Sequence, residues 1–199
     1  GLGDVYKRQL YAFVDCLLFS FTFFLQIEDN LAQITRLQEN EFAVKMSSFK
    51  FTKSSCAIAG SQELQFNFEG TDIKFYPVSV GNPHAVIFQD SLSDQIPEMG
   101  LTLQESNIYK NGVNVGFVKI LNEKEINLRV VERGVGETLA CGSGACAAVL
   151  SGVKNNLLQS SVLVNFKKGK LKVEVNLDEE WFNLIGEAKY IEKGIKINP

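Results

Sequence analysis

Residues 131–148 read VERGVGETLACGSGACAA, and their interpretation governs that of the whole chain. Four glycines, Gly134, Gly136, Gly142 and Gly144, fall close together in it, and glycine permits positive φ and close approach of backbone to a ligand. Cys141 stands where this loop passes into an Ala-rich stretch. The spacing predicts a helix over about 141–156, with Asn155 and Asn156 as stop residues. The first N–H groups of a helix have no intrahelical partners, and the helix dipole is positive there. Such a terminus binds a carboxylate and lowers the pKa of a cysteine thiol. Glu132 and Arg133 precede the loop, and a guanidinium suits bidentate pairing with a carboxylate. The stretch therefore points to a cysteine acting on a carboxylate-bearing substrate.

Other readings of the same residues are weaker. A phosphate or dinucleotide cradle also pairs glycines with a helix start, but the P-loop Lys-Ser/Thr is absent and the G-x-G-x-x-G spacing fails. Cys146, five positions after Cys141, turns to a different helix face among alanines and reads as a small packing residue. A zinc site needs more ligands than two cysteines and His84 supply, so no metal is expected. The C-x4-C spacing is not that of a redox pair.

Working outward, Gly81-Asn82-Pro83-His84 marks a turn that presents the Asn82 amide and the His84 imidazole at a strand end. A lone histidine is by itself usually a structural or surface residue. Asn114, in NGVNVGF, reads either as a site amide or as the exposed face of an edge strand. Strand-like runs recur at 42–46, 64–68, 73–80, 84–88, 113–120 and 125–131. SVLVNFK and LKVEVN follow the helix, joined by a turn at Lys168-Gly169, and then come WFNLIG and AKYI. Residues 93–106 hold room for one short helix, broken by Pro97 and Gly100. The body is an α+β fold with many strands and one principal helix.

Composition sets the outer bounds. The 199 residues are 45% hydrophobic and 22% charged, which excludes a disordered or collagen-like chain. With 20 basic and 23 acidic residues the net charge is −3, so no surplus exists to neutralise a phosphate backbone and nucleic acid is not an expected partner. Four cysteines and one histidine are too few for a disulfide scaffold. Residues 10–25, LYAFVDCLLFSFTFFL, form an apolar run behind Lys7 and Arg8. The run is short of a spanning helix and lacks a clear cleavage site. A signal anchor, a buried element and a non-native leader all remain readings of it, the last preferred for about the first twenty residues.

Taken together, VSVGNPHAVIF (78–88), GVNVGFVKI (112–120) and VVERGVGETLACGSGACAAV (130–149) resemble the C-terminal half of diaminopimelate epimerases. The resemblance implies lobes built as curled, mostly antiparallel sheets around a central helix. On it, residues 1–25 are a non-matching leader, 26–76 the remnant of an N-terminal lobe and crossover, and 77–199 a complete C-terminal lobe. It implies cofactor-independent inversion of one α-carbon of LL-diaminopimelate to the meso form, in the cytoplasm, on the route to lysine. A small-molecule substrate is the implied partner, a membrane is not, and a homodimer is compatible.

Residue by residue, the resemblance assigns Cys141 as one of two acid–base cysteines, with Glu132 and His84 assisting the chemistry. Gly142 and Ser143 would hold the α-carboxylate, Arg133 would reach the distal carboxylate with Glu132 beside it, and Asn82 and Asn114 would bind substrate. One departure is plain: no CGNG-type motif is present, since Cys16 lies in FVDCLLF and Cys56 in KSSCAIAG. The expectation is a truncated epimerase of impaired activity. The alternatives are another isomerase of the same superfamily, proline racemase-like or phenazine-biosynthesis-like, a non-catalytic lobe fragment, and a membrane-anchored protein.

Overall fold

The structure is a computed structural model that describes residues 22–27, 30–58 and 64–188. The expectations for residues 1–21, Cys16 among them, and for residues 189–191 of AKYI lie outside the described residues. The end of the apolar run is a strand, β1 (Thr22–Ile27), paired antiparallel with β2 (Asn30–Gln38), which pairs with β3 (Glu41–Met46). A short hairpin follows, β4 (Gln65–Phe68) with β5 (Thr71–Lys74). The remaining strands are β6 (Tyr76–Ser79), β7 (Pro83–Phe88), β8 (Asn114–Asn122), β9 (Glu125–Glu132), β10 (Gly136–Thr138), β11 (Ser161–Asn165), β12 (Lys170–Asn176) and β13 (Trp181–Glu187). Two α-helices interrupt them, α1 (Ile96–Glu105) and α2 (Gly142–Lys154).

Apart from the hairpin, these strands form one sheet in the order β1-β2-β3-β13-β12-β11-β9-β8-β7-β6, with β10 added on β9. Its pairs are antiparallel except β7–β8 and β9–β11. Helix α2 touches β6, β7, β8, β9, β12 and β13, so the sheet curls around it. The reason lies in its sequence: every residue from Gly144 to Gly152 is buried, and a helix apolar all round needs protein on every side. Glycines let its neighbours close in. A Cβ on Gly152 would stand 2.3 Å from Leu158, and one on Gly144 2.9 Å from Val130.

The sheet is covered on both faces in its β7–β9 part. Val86, Val118, Leu128 and Val130 pack with α2, whereas Ala85, Ile87, Val115, Phe117 and Val131 pack with α1. Strands buried on both sides read as nearly continuous apolar runs, as HAVIF does.

Two expectations need correction. Helix α1 runs unbroken through both supposed breakers. Pro97 lies in its first turn, where a missing N–H costs nothing, and Gly100 makes room for Val131, whose side chain would stand 2.6 Å from a Cβ there. The run at 73–80 is two strands, not one: Phe75, fully buried, is the crossing point from the hairpin to the main sheet. Among the described residues, no helix is long and apolar enough to cross a membrane.

Candidate active site at the N-terminus of the central helix

Strand alternation decides which side chains can meet. In the parallel register of β7 and β8, His84 stands beside Asn114, and Val86 beside Gly116. In the antiparallel register of β8 and β9, Gly116 pairs with Val130, so Asn114 and Glu132 continue the same face. That face is the one α2 covers. His84, Asn114 and Glu132 thus form a row across three strands at one end of the sheet. Cys141 joins it as the N-cap of α2, in extended conformation (φ −142°, ψ 110°), its carbonyl accepting the first helical bond from the Ala145 N–H at 2.9 Å.

The contacts within the row are specific. His84 is buried, and its Nε2 lies 3.1 Å from Asn82 Oδ1. A carbonyl oxygen only accepts, so the ring proton is on Nε2. Burial pushes the imidazole pKa down to about 3, which makes the ring neutral at physiological pH. Gly81, at φ +99°, makes the turn that brings Asn82 there. Asn114 is 8% exposed and lies inside the sheet, which removes the edge-strand reading; its Oδ1 accepts the Arg133 backbone N–H at 3.0 Å. The Arg133 guanidinium is exposed and donates through Nη1 to the Asn111 carbonyl.

The thiol of Cys141 is buried, with Ser143 Oγ 3.5 Å from its Sγ. Burial pushes its pKa up. The Ser143 hydroxyl and the Gly144 N–H pull it down, and the Glu132 carboxylate, by charge and by accepting from the thiol, pushes it up again. The expectation that the helix terminus would lower this pKa is therefore corrected: burial outweighs the helix start, and Cys141 rests as a thiol. Cys146 is fully buried in the helix core, its thiol pushed far up by burial. Among the described residues no group of three or more His, Cys, Asp and Glu side chains could hold a metal ion.

Sequence reasoning missed four residues that hold this end of the sheet. Gln104 of α1 donates through Nε2 to the carbonyls of Val113 (2.9 Å) and Val131 (3.2 Å), tying together the strand ends that carry Asn114 and Glu132. Arg129 and Glu137 form a bidentate pair at 2.6 and 2.9 Å. Thr138 donates to Glu132 Oε1 at 2.6 Å. No local pattern announced these partners. The bonds of Glu137 and Thr138 depend on β10 folding back on β9, and those of Gln104 on α1 packing across β8 and β9. The ERG-x-GET string contains Glu137 and Thr138 but neither Arg129 nor the pairing.

A sequence profile of the family described as diaminopimelate epimerase matches residues 76–191. Among curated proteins, the diaminopimelate epimerase of Buchnera aphidicola subsp. Baizongia pistaciae is 43% identical over 123 residues, covering 61% of this chain and 43% of the relative. That of Vesicomyosocius okutanii is 36% identical over 172 residues, covering 85% of this chain and 62% of the relative. The chain thus spans roughly half the length of the curated relatives it matches. Among solved structures, a probable proline racemase from Agrobacterium radiobacter K84 matches all of this chain and 68% of its own, with a TM-score of 0.65 at 12% identity. A phenazine biosynthesis protein of the PhzF family from Bacillus anthracis matches 92% of this chain and 71% of its own, with a TM-score of 0.55 at 15% identity. These two likenesses concern the fold, whereas the profile covers well over half of the sequence, including the entire His84–Asn114–Glu132 row and Cys141: the chain belongs to the diaminopimelate epimerase family.

Proposed function

We propose that this protein supplies one acid–base face of a cytoplasmic diaminopimelate epimerase, inverting the α-carbon of LL-diaminopimelate to give the meso form without a cofactor. The observation that carries the reading is the convergence of Cys141, at a helix N-terminus, with Glu132, Asn114 and His84 on one sheet face. An amino-acid α-proton is weakly acidic, so the site must stabilise a developing carbanion by fixed dipoles and desolvation and use bases of matched pKa.

The family resemblance implies the roles, and the geometry supports them. The N–H groups of Gly142 and Ser143 open α2 and receive the α-carboxylate, where negative charge grows as the proton leaves. Neutral His84 and the Asn82 and Asn114 amides bind polar substrate groups without adding net charge. Arg133 swings from the Asn111 carbonyl to the distal carboxylate. Cys141, resting as a thiol beside Glu132, returns a proton to the carbanion; run in reverse, it removes one, with Glu132 receiving the thiol proton.

Inversion needs a second acid–base group on the opposite face of the α-carbon. Cys56 and Cys146 are buried in the two cores, and Cys16 lies outside the described residues. The family resemblance implies that the second thiol belongs to a CGNG-type segment, which this sequence does not contain. The family's pairing of two lobes makes that segment the expected partner of this one, and a homodimer fits the same scheme.

Deuterium wash-in tests the proposal. The chain alone, and the chain joined to a CGNG-bearing lobe, are incubated in D2O with LL-diaminopimelate and, separately, with proline. The joined protein should exchange the diaminopimelate α-proton and leave proline untouched; the chain alone should turn over little or not at all. Cys141→Ala in the joined protein should lower exchange at least a hundredfold, the scale on which a positioned acid–base group acts. Exchange of proline alone would assign the chain to a different isomerase, and normal turnover by Cys141→Ala would remove Cys141 from the chemistry.

A further inference from the structure

Strand β10 is short and lies off the main path of the sheet, yet both of its long side chains are committed. Alternation sends Glu137 and Thr138 to opposite faces. Glu137, paired with Val131, reaches the α1 face. There it meets Arg129 through Nε and Nη2 at 2.6 and 2.9 Å, and Lys167 through Nζ at 2.9 Å. Arg129 is 8% exposed and also donates to the Ser93 carbonyl before α1. Thr138, paired with Val130, reaches the α2 face, and its Oγ1 donates to Glu132 Oε1 at 2.6 Å. The strand is therefore pinned from one side and holds a carboxylate on the other.

We propose that Thr138 is a positioning residue: carried on a strand fastened by the Arg129–Glu137–Lys167 ion cluster, its hydroxyl fixes the Glu132 carboxylate against the Cys141 thiol. This rests on the reading of Cys141 and Glu132 as an acid–base pair. Glu132 is only half-buried, so without a donor on Oε1 its carboxylate turns toward water, where solvation replaces the lost bond. The charged neighbours leave Glu132 as the group that decides the outcome. Arg133 is drawn to Asn111, the ion cluster keeps its net charge of about +1 on the opposite, α1 face, where Asp94 also acts on Arg129, and His84 is neutral. Cys146, deeper in α2, is a thiol held protonated by burial.

The test reads Cys141 itself and needs no turnover. Alkylation by iodoacetamide is followed against pH, and Cys141 is separated from Cys146 by tandem mass spectrometry. Glu132→Gln should move the reactivity midpoint down by roughly one pH unit, a tenfold gain in thiolate fraction at fixed pH. Thr138→Val should move it in the same direction, Thr138→Ser should restore it, and Thr138→Val in the Glu132→Gln background should add nothing, since its effect passes through that carboxylate. If Thr138→Val does not fold, as judged by circular dichroism, Thr138→Ala carries the same expectations. A shift with Glu132→Gln but none with the Thr138 variants would overturn the positioning role and leave the pair intact. An equal Thr138 shift in the Glu132→Gln background would also overturn it. No shift with Glu132→Gln would overturn both.

Discussion

At the scale of single residues, burial changes what local sequence context suggests. Cys141 has the glycines and helix start that favour a thiolate, yet its place against the core and beside Glu132 gives a thiol. His84 has the reverse history: unremarkable as a lone histidine and made a candidate by the family resemblance, it stands beside Asn114 in the sheet. Its pKa near 3 gives a direct prediction. The chain contains one histidine, so a single imidazole Cε1 proton resonance can be followed by NMR without assignment. It should stay at its neutral position from pH 8 to pH 5, and Asn82→Ala should shift that position without introducing a midpoint in this range. A titration centred near pH 6.5 would mean that the ring is solvated and the row across β7 and β8 is open.

At the scale of elements, what was legible and what was not divides along a physical line. Helix α2 and strands β3, β7, β8, β9, β11, β12 and β13 were legible, because burial on one or both sides writes itself into consecutive residues. Cys141 and Glu132 stood out as candidates because of the glycines around them, whereas Asn82, His84 and Asn114 became candidates only through the resemblance to the family. Strand β10 and the split at Phe75 were not, since each depends on which distant strand is available for pairing. Helix α1 was misjudged at Gly100 for the same reason: a glycine there reads as a breaker until Val131 is seen lying across it. Gly→Ala in an open helix is worth about 1 kcal/mol of added stability. Gly100→Ala should instead cost about 1–3 kcal/mol, because the buried, β-branched Val131 cannot yield to the new methyl. Urea melts measure this, and Val131→Ala should make the same substitution markedly less costly. A stabilised Gly100→Ala protein would mean that α1 does not pack this closely on β9.

At the scale of the whole molecule, the groups that organise the site also set its response to acid. Two shifts act in the same direction over different windows. His84 has a folded pKa near 3 against an ordinary 6.5, so the unfolded chain takes up a proton that the folded chain refuses. Stability is therefore unaffected above pH 6.5 and falls by about 1.4 kcal/mol per pH unit below it, down to about pH 3. Glu137 has a folded pKa near 2 against an ordinary 4.5, held down chiefly by its bonds to Arg129. Its contribution is complete above pH 4.5 and is lost as pH falls toward 2, on the order of 2 kcal/mol for a carboxylate only 16% exposed. The two are separable by variants. The difference in unfolding free energy between wild type and His84→Gln should change between pH 6.5 and 4.5, with the wild type losing ground as pH drops. The difference between wild type and Glu137→Gln should stay constant over that range and narrow only below pH 4.5. If Glu137→Gln costs nothing at neutral pH, then Arg129 does not fasten β10, and Thr138 would have no fixed strand from which to hold Glu132. Acid stability and the position of the Glu132 carboxylate are thus linked through one short strand.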